Sequence, residues 1–184
     1  MVKNDEWIIR TSKEDRMIEP FEESQVSAGV VSWGVSSYGY DMRISDIFKA
    51  PVFAGGEALD PKAPGAVEFE EVRTACFALR PGSYVLARSL EYFRIPRDVL
   101  GLVTGKSTYA RCGVLVNVTP LEPEWEGYIT IGIANTAPVP VRLYANEGIG
   151  QVIFLGAADT CKTSYADRKG KYQNQKEIQV GKVK

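Results

Sequence analysis

Isoleucine occupies every second position in the run Tyr128-Ile129-Thr130-Ile131-Gly132-Ile133-Ala134. Successive side chains on a strand point to opposite faces, so Ile129, Ile131 and Ile133 are predicted to face a core. Tyr128, Thr130, Gly132 and Ala134 fall on the other face. That face is small or hydroxylic and suits close approach of a ligand or a second subunit. Similar short apolar runs at 40–44, 75–79, 84–87, 113–118, 139–144 and 151–155 are separated by Gly, Pro, Asn and Asp. Strands this short and turns this frequent predict an all-β sandwich, jelly roll or barrel. No long helices alternate with them, which argues against a doubly wound α/β fold. One helix is expected over residues 4–16, with Asn4 as its cap and Trp7, Ile8 and Met17 as its apolar stripe. Residues 54–65 read as a surface loop. Residues 163–184, polar and rich in Lys and Gln, read by composition as a mobile C-terminal arm.

Composition narrows the chemistry. The 184 residues suffice for one core, so residues 1–184 are read as one domain. The formal net charge is −1, which gives no electrostatic case for nucleic acid as a partner. No apolar run is long enough to cross a membrane, and the polar start of the chain does not resemble a signal peptide. Cys76, Cys112 and Cys161 are odd in number and lack metal-ligand spacing, so reduced thiols and a cytoplasmic location are expected. There is no histidine. This excludes a Ser-His-Asp triad, a Cys-His dyad and a His-ligated zinc, so proton transfer must use Asp, Glu, Lys, Tyr, a thiol or water.

The segment Gly101-Leu-Val-Thr-Gly105-Lys106-Ser107 invites comparison with a P-loop. Three residues separate its glycines where that motif needs four, and Gly113 interrupts any following helix after about two turns. Even so, a glycine followed by Lys106, Ser107 and Thr108 at the start of a short helix offers free N–H groups, a hydroxyl and an ammonium in one place. Arg111 lies four residues after Ser107 and can add a planar fork to the same phosphate. The plain alternative is a capped turn with a solvated Lys and Arg. Glu122, Glu124 and Glu126, just before the isoleucine strand, would in isolation be a solvated loop.

The residues carry a resemblance over nearly the whole chain. Ser36-Ser37-Tyr38-Gly39-Tyr40-Asp41-Met42-Arg43, Glu91-Tyr92-Phe93-Arg94-Ile95-Pro96, Gly105 to Gly113, Asn117-Val118-Thr119-Pro120, Glu122 to Gly127, Tyr144-Ala145-Asn146-Glu147-Gly148 and the stretch from Ser164 to Gln175 follow one another as in the dCTP deaminase family, within the dUTPase-like superfamily. The resemblance implies a homotrimer of distorted jelly rolls, with active sites between subunits closed by the C-terminal arm. It implies a deoxynucleoside triphosphate substrate carrying Mg²⁺ on its phosphates, no zinc, and water activated at the base without a metal. It implies that Lys106, Ser107 and Arg111 hold phosphates, with Thr108, Tyr109 and Ala110 completing the cradle. Thr130 and Ile131 would address the base through the strand backbone. Gln151, Tyr165, Lys171 and Gln175 would close over the nucleotide.

The departure lies at the chemistry. In deaminases that this chain resembles, a Glu at the position of Gly132 moves protons between water and the cytosine amine. Gly150 stands where Ala is usual, and both changes are expected to remove volume from the nucleotide region. Three readings stay open. The chain is a dCTP deaminase impaired at proton transfer, a dUTPase-like diphosphatase with Glu122 activating water, or an enzyme for a larger or modified base. A regulator that binds dNTP without turnover is the reading from outside enzymology.

Overall fold

The computed structural model describes residues 1–53, 59–63 and 67–181. The expected loop at 54–65 lies largely outside the described residues. Helix α1 (Asp5–Glu14) starts where Asn4 accepts a hydrogen bond from the Trp7 N–H at 3.1 Å, with Asp5 and Glu6 in the positive first turn. It buries Ile8, while Met17 follows it into the core and Trp7 lies 6.0 Å from the Phe154 ring.

Eleven strands follow among the described residues: β1 (Ile18–Glu19), β2 (Gly34–Ser36), β3 (Gly39–Val52), β4 (Glu68–Arg73), β5 (Cys76–Leu79), β6 (Tyr84–Arg94), β7 (Val99–Gly105), β8 (Val114–Asn117), β9 (Glu126–Asn135), β10 (Val141–Tyr144) and β11 (Gly148–Gly156). The single-turn helix α2 (Ser107–Ala110) joins β7 to β8. The main sheet runs β7-β11-β3-β6-β9-β8, with β1, β2 and β4 on its flanks, and β5 pairs separately with β10. Its two end strands nearly meet: a Cβ on Gly105 of β7 would lie 3.3 Å from Val116 of β8. The result is the barrel-like all-β fold that the strand pattern predicted.

The alternation in β9 holds along its length. Ile129, Ile131 and Ile133 are buried with Phe48, Val85, Phe93, Leu143 and Phe154, while Tyr128, Thr130 and Gly132 are half-buried on the outer face. Strand β3 runs to Val52, well past the expected 40–44. Arg43, Asp46 and Lys49 interrupt its apolar pattern, and its register with β6 shifts between Ile44 and Phe48. A second shift separates β6 from β9 between Arg88 and Tyr92. Glu91, fully buried between these bulges, accepts from Arg43 through Nε at 2.7 Å and through the backbone N–H at 3.0 Å. Burial pushes its carboxyl upward and Arg43 pulls it back down. Ser89 stitches the same bulge, donating to the Glu91 carbonyl at 2.7 Å and accepting from Ile129 N–H at 2.8 Å.

The C-terminal segment differs from its composition. Its described part, through Gly181, is docked and not a free arm. Tyr128 N–H donates to the Gln175 carbonyl at 2.9 Å, the Trp125 indole donates to the Tyr172 carbonyl at 2.9 Å, and Ile178 is buried. Polarity misleads here because most of these contacts use main-chain groups, which composition does not reveal.

Candidate active site

The candidate cradle is built where β7 ends. Lys106 has extended backbone and its N–H donates to the Ile149 carbonyl at 3.1 Å, which fixes the entry to α2. The helix is one turn and not two. It closes through Arg111, Cys112 and Gly113, whose φ of 74° lies in the left-handed region that glycine adopts without strain. Ser107, Thr108 and Ala110 are exposed. Tyr109 is not: its ring is buried, and its hydroxyl accepts from the Tyr144 N–H at 3.1 Å. Burial pushes this phenol up to about 12. Its side chain therefore anchors the turn, and only its main chain faces the cradle. Arg111 is exposed and its guanidinium donates to the Ser107 carbonyl at 3.0 Å.

Lys106 does not reach into solvent. Its ammonium lies 2.6 Å from Asp41 Oδ2, with the two side chains 11% and 5% exposed. Gln25 donates to the same oxygen at 2.9 Å, and Gln151 donates to Oδ1 at 3.2 Å and to Ser36 Oγ at 2.9 Å. Within one chain, Gln151 thus sits with Lys106 and not with Thr130 and Ile131, where base contacts were expected. Asp41, Gln25 and Ser36 had no predicted role. The signal for Asp41 was a lone acid among Tyr40, Met42 and Ile44 in a strand that must be buried.

A second group forms around the start of β9. A cavity of about 220 Å³ is lined by Glu122, Trp125, Thr130, Tyr165, Tyr172 and Gln175, among others. Gln175 donates to the Tyr128 carbonyl at 2.9 Å and to Thr130 Oγ1 at 2.5 Å, and Gln179 N–H donates to Thr130 Oγ1 at 3.2 Å. Tyr165 Oη accepts from the Tyr172 N–H at 3.0 Å, and the Lys171 ammonium lies 5.5 Å from the Tyr172 ring centroid. Glu122 is ion-paired with Arg168. The Ile131 side chain is buried, so only its main chain is available to a ligand. This cavity draws on residues 118–130 and 165–179 and on none of 106–111. The structure therefore brings Glu122, Thr130, Tyr165 and Gln175 together, and Lys106, Gln151 and the α2 turn together, as two separate groups in one chain.

Gly132 lies on the outer face of β9, paired with Leu86 and Asn117. A Cβ there would meet only the Asn117 carbonyl oxygen at 3.5 Å and Asn117 Cβ at 3.9 Å, so a side chain has room. Gly150 behaves differently from expectation. It is buried in β11, and its Cβ would sit 2.8 Å from the Thr104 carbonyl and 3.5 Å from Met42 Cε. Its missing side chain serves close packing between strands, so of the two glycines only Gly132 leaves room for a side chain. The three cysteines are free thiols, and no helix among the described residues is long and apolar enough to cross a membrane.

Comparison with known proteins identifies the family. A family model described as dCTP deaminase-like matches residues 2–156. A dCTP deaminase of Nautilia profundicola is 55% identical over 183 residues, covering 99% of this chain and 98% of its own. One from Chloroflexus aurantiacus is 53% identical over 182 residues, with the same coverage of both chains. The crystal structure of 2'-deoxycytidine 5'-triphosphate deaminase from Agrobacterium tumefaciens superposes with a TM-score of 0.61. That match covers 83% of this chain and 46% of the other at 15% identity, and supports the fold alone. The chain belongs to the dCTP deaminase family.

Proposed function

We propose that this chain binds a deoxynucleoside triphosphate between the subunits of a homotrimer and hydrolyses dCTP to dUTP and ammonia, slowly, because position 132 supplies no carboxylate. The observation that carries this reading is the cavity joining Glu122, Thr130, Tyr165 and Gln175 in a chain 55% identical to a dCTP deaminase along its full length. The separation of this cavity from the α2 turn supports a shared site, in which one subunit's cradle holds the phosphates of a nucleotide whose base lies against its neighbour's β9. Residues 1–184 act as one hydrolase domain, with the arm from about residue 163 covering the base.

The residues sort by chemistry. Lys106, Ser107, Arg111 and the main chain of Thr108, Tyr109 and Ala110 meet phosphate oxygens. These groups are cationic, hydroxyl or N–H donors with no carboxylate among them, which suits phosphate better than a bare divalent cation, so Mg²⁺ enters on the triphosphate. When bound there it neutralises phosphate charge. Thr130, Ile131 and Gln151 orient the nucleotide, and Tyr165, Lys171 and Gln175 exclude water. Attack of water at the base carbon bearing the amine requires a proton to move from the water to the leaving nitrogen. A positioned carboxylate contributes about 10²–10⁴ to such a step, and Gly132 forgoes it. The free thiols fit a cytoplasmic site of action.

A second reading, diphosphate release with Glu122 activating water, is favoured by Glu122 lining the same cavity as Thr130, although its ion pair with Arg168 would have to open. The test is a panel of natural and modified dNTPs assayed for ammonia, diphosphate and nucleotide products, with mass by light scattering. Ammonia from dCTP and a trimer mass are expected. Diphosphate without ammonia would establish the second reading. Binding without product would make the chain a sensor, and a mass near 20.3 kDa would refute the shared site.

A further inference from the structure

The Asp41 cluster is built too deliberately for a solvated lysine. Three donors from three parts of the chain converge on one carboxylate: Lys106 Nζ at 2.6 Å, Gln25 Nε2 at 2.9 Å and Gln151 Nε2 at 3.2 Å. Gln151 is itself held by Ser36 Oγ, which donates to the Gly39 carbonyl at 3.1 Å. Space for the lysine stem is reserved as well. A Cβ on Gly148 would lie 3.0 Å from Lys106 Cδ and 1.9 Å from the Ser32 carbonyl oxygen, so the stem and the 30s loop both pass over a residue without a side chain. An ammonium has three donors, and Asp41 takes one, leaving two for a ligand.

We infer that Asp41 is a positioning residue, which acts through Lys106 by holding its ammonium at a fixed point for a polyphosphate. This rests on the reading of Lys106 to Arg111 as the phosphate cradle. A lysine fixed in advance loses little rotamer freedom when the anion arrives, and the same lysine released from Asp41 loses much more. The charge of Asp41 taken alone has the opposite effect, since a carboxylate beside an anion site repels the anion. Positioning and repulsion therefore predict opposite signs for one substitution.

The probe is inorganic tripolyphosphate, which carries the phosphate chain without the base. Its dissociation constant is measured by calorimetry on the full chain and on Asp41→Asn, Lys106→Met and the double variant, with the melting temperature of each. Positioning predicts that Asp41→Asn weakens binding about ten-fold, roughly the weight of one long side chain's freedom, and that this effect disappears in the Lys106→Met background. Tighter binding by Asp41→Asn would overturn the inference, as would an equal effect with and without Lys106. A purely structural role would lower the melting temperature without this dependence on Lys106. Should Asp41→Asn fail to fold, the unaltered protein still decides. The Lys106 ammonium resonance in NMR must be rigid before ligand is added and must shift when tripolyphosphate binds, and a mobile or unresponsive signal refutes the inference. Absence of any tripolyphosphate binding by the parent chain overturns both this inference and the cradle. Ammonia release from the dNTP panel judges the deaminase reading separately.

Discussion

Placing a carboxylate at position 132 is the sharpest perturbation the site allows. The backbone there is ordinary strand, and the built Cβ meets nothing closer than 3.5 Å, so Gly132→Glu forces no overpacking. The side chain leaves from the face opposite Ile129, Ile131 and Ile133, and its charge is not driven into the core. Replacing glycine within a strand also removes chain entropy from the unfolded state, so stability should stay level or rise by about 0.5–1 kcal/mol. A proton shuttle contributes about 10²–10⁴ in rate, which corresponds to about 3–5 kcal/mol of barrier. Ammonia release from dCTP should increase by that factor in single-turnover assays, with dUTP resolved by chromatography. A folded variant that binds dCTP as the parent does and shows no increase would refute the placement of Gly132 at the reacting amine. If the parent instead turns over a bulkier base, Gly132→Glu should abolish that activity and leave dCTP untouched.

Three further outcomes follow from the packing. Arg43→Ala strips the guanidinium from fully buried Glu91 and should cost about 3–5 kcal/mol in urea unfolding. Because burial raises the Glu91 carboxyl, that loss should grow as pH rises, and a loss independent of pH between 5 and 8 would contradict the assignment. Truncation before Tyr165 should leave a folded barrel with a lower melting temperature, because Tyr165 and Ile178 leave the core, and should shift Trp125 emission to the red. An unchanged melting temperature would mean the docked arm adds nothing. Tyr109 has an ordinary phenol value of 10.0 in the unfolded chain and about 12 when folded. Its contribution is complete below pH 10 and fades as pH rises through 12. Tyr109→Phe should flatten the alkaline fall in melting temperature, though only in part, since burial raises Tyr40 as well.

Much of the barrel was legible where periodicity is undisturbed. Strand β9 follows its isoleucines, and β11 and β8 follow their apolar runs to within three residues at each end. Strand β7 was hidden because Gly101-Leu-Val-Thr-Gly105 reads first as a glycine-rich loop. Strand β3 was cut short because Arg43 and Asp46 break its apolar pattern where the bulge with β6 turns the chain. At the candidate site, the α2 turn was singled out by its donor chemistry, and the residues around Thr130 by the family resemblance. What the sequence concealed was their grouping. Lys106 and Gln151 are 45 positions apart and meet only because β7 and β11 are neighbours, each converging on an Asp41 whose role is invisible until the sheet is assembled. Tyr109 looks like a ligand residue by position and is a core residue by burial.

The way the arm is held has a consequence for how this chain can change over generations. Arg88 grips the Lys176 carbonyl, Lys49 the Ile178 carbonyl, and Tyr128 N–H the Gln175 carbonyl. Main-chain grips do not register which side chain they carry, and Lys176 and Glu177 point into solvent. Exchanges at these two positions should pass nearly unnoticed by selection. Length is another matter. Gln175 at the Gly127–Gln175 bridge and Ile178 are both buried with only two exposed residues between them, so a residue gained or lost there would change that fixed span and pull Ile178 off its core position. Spelling is free in this stretch while spacing is fixed, so descendants should differ here by substitution and almost never by insertion or deletion.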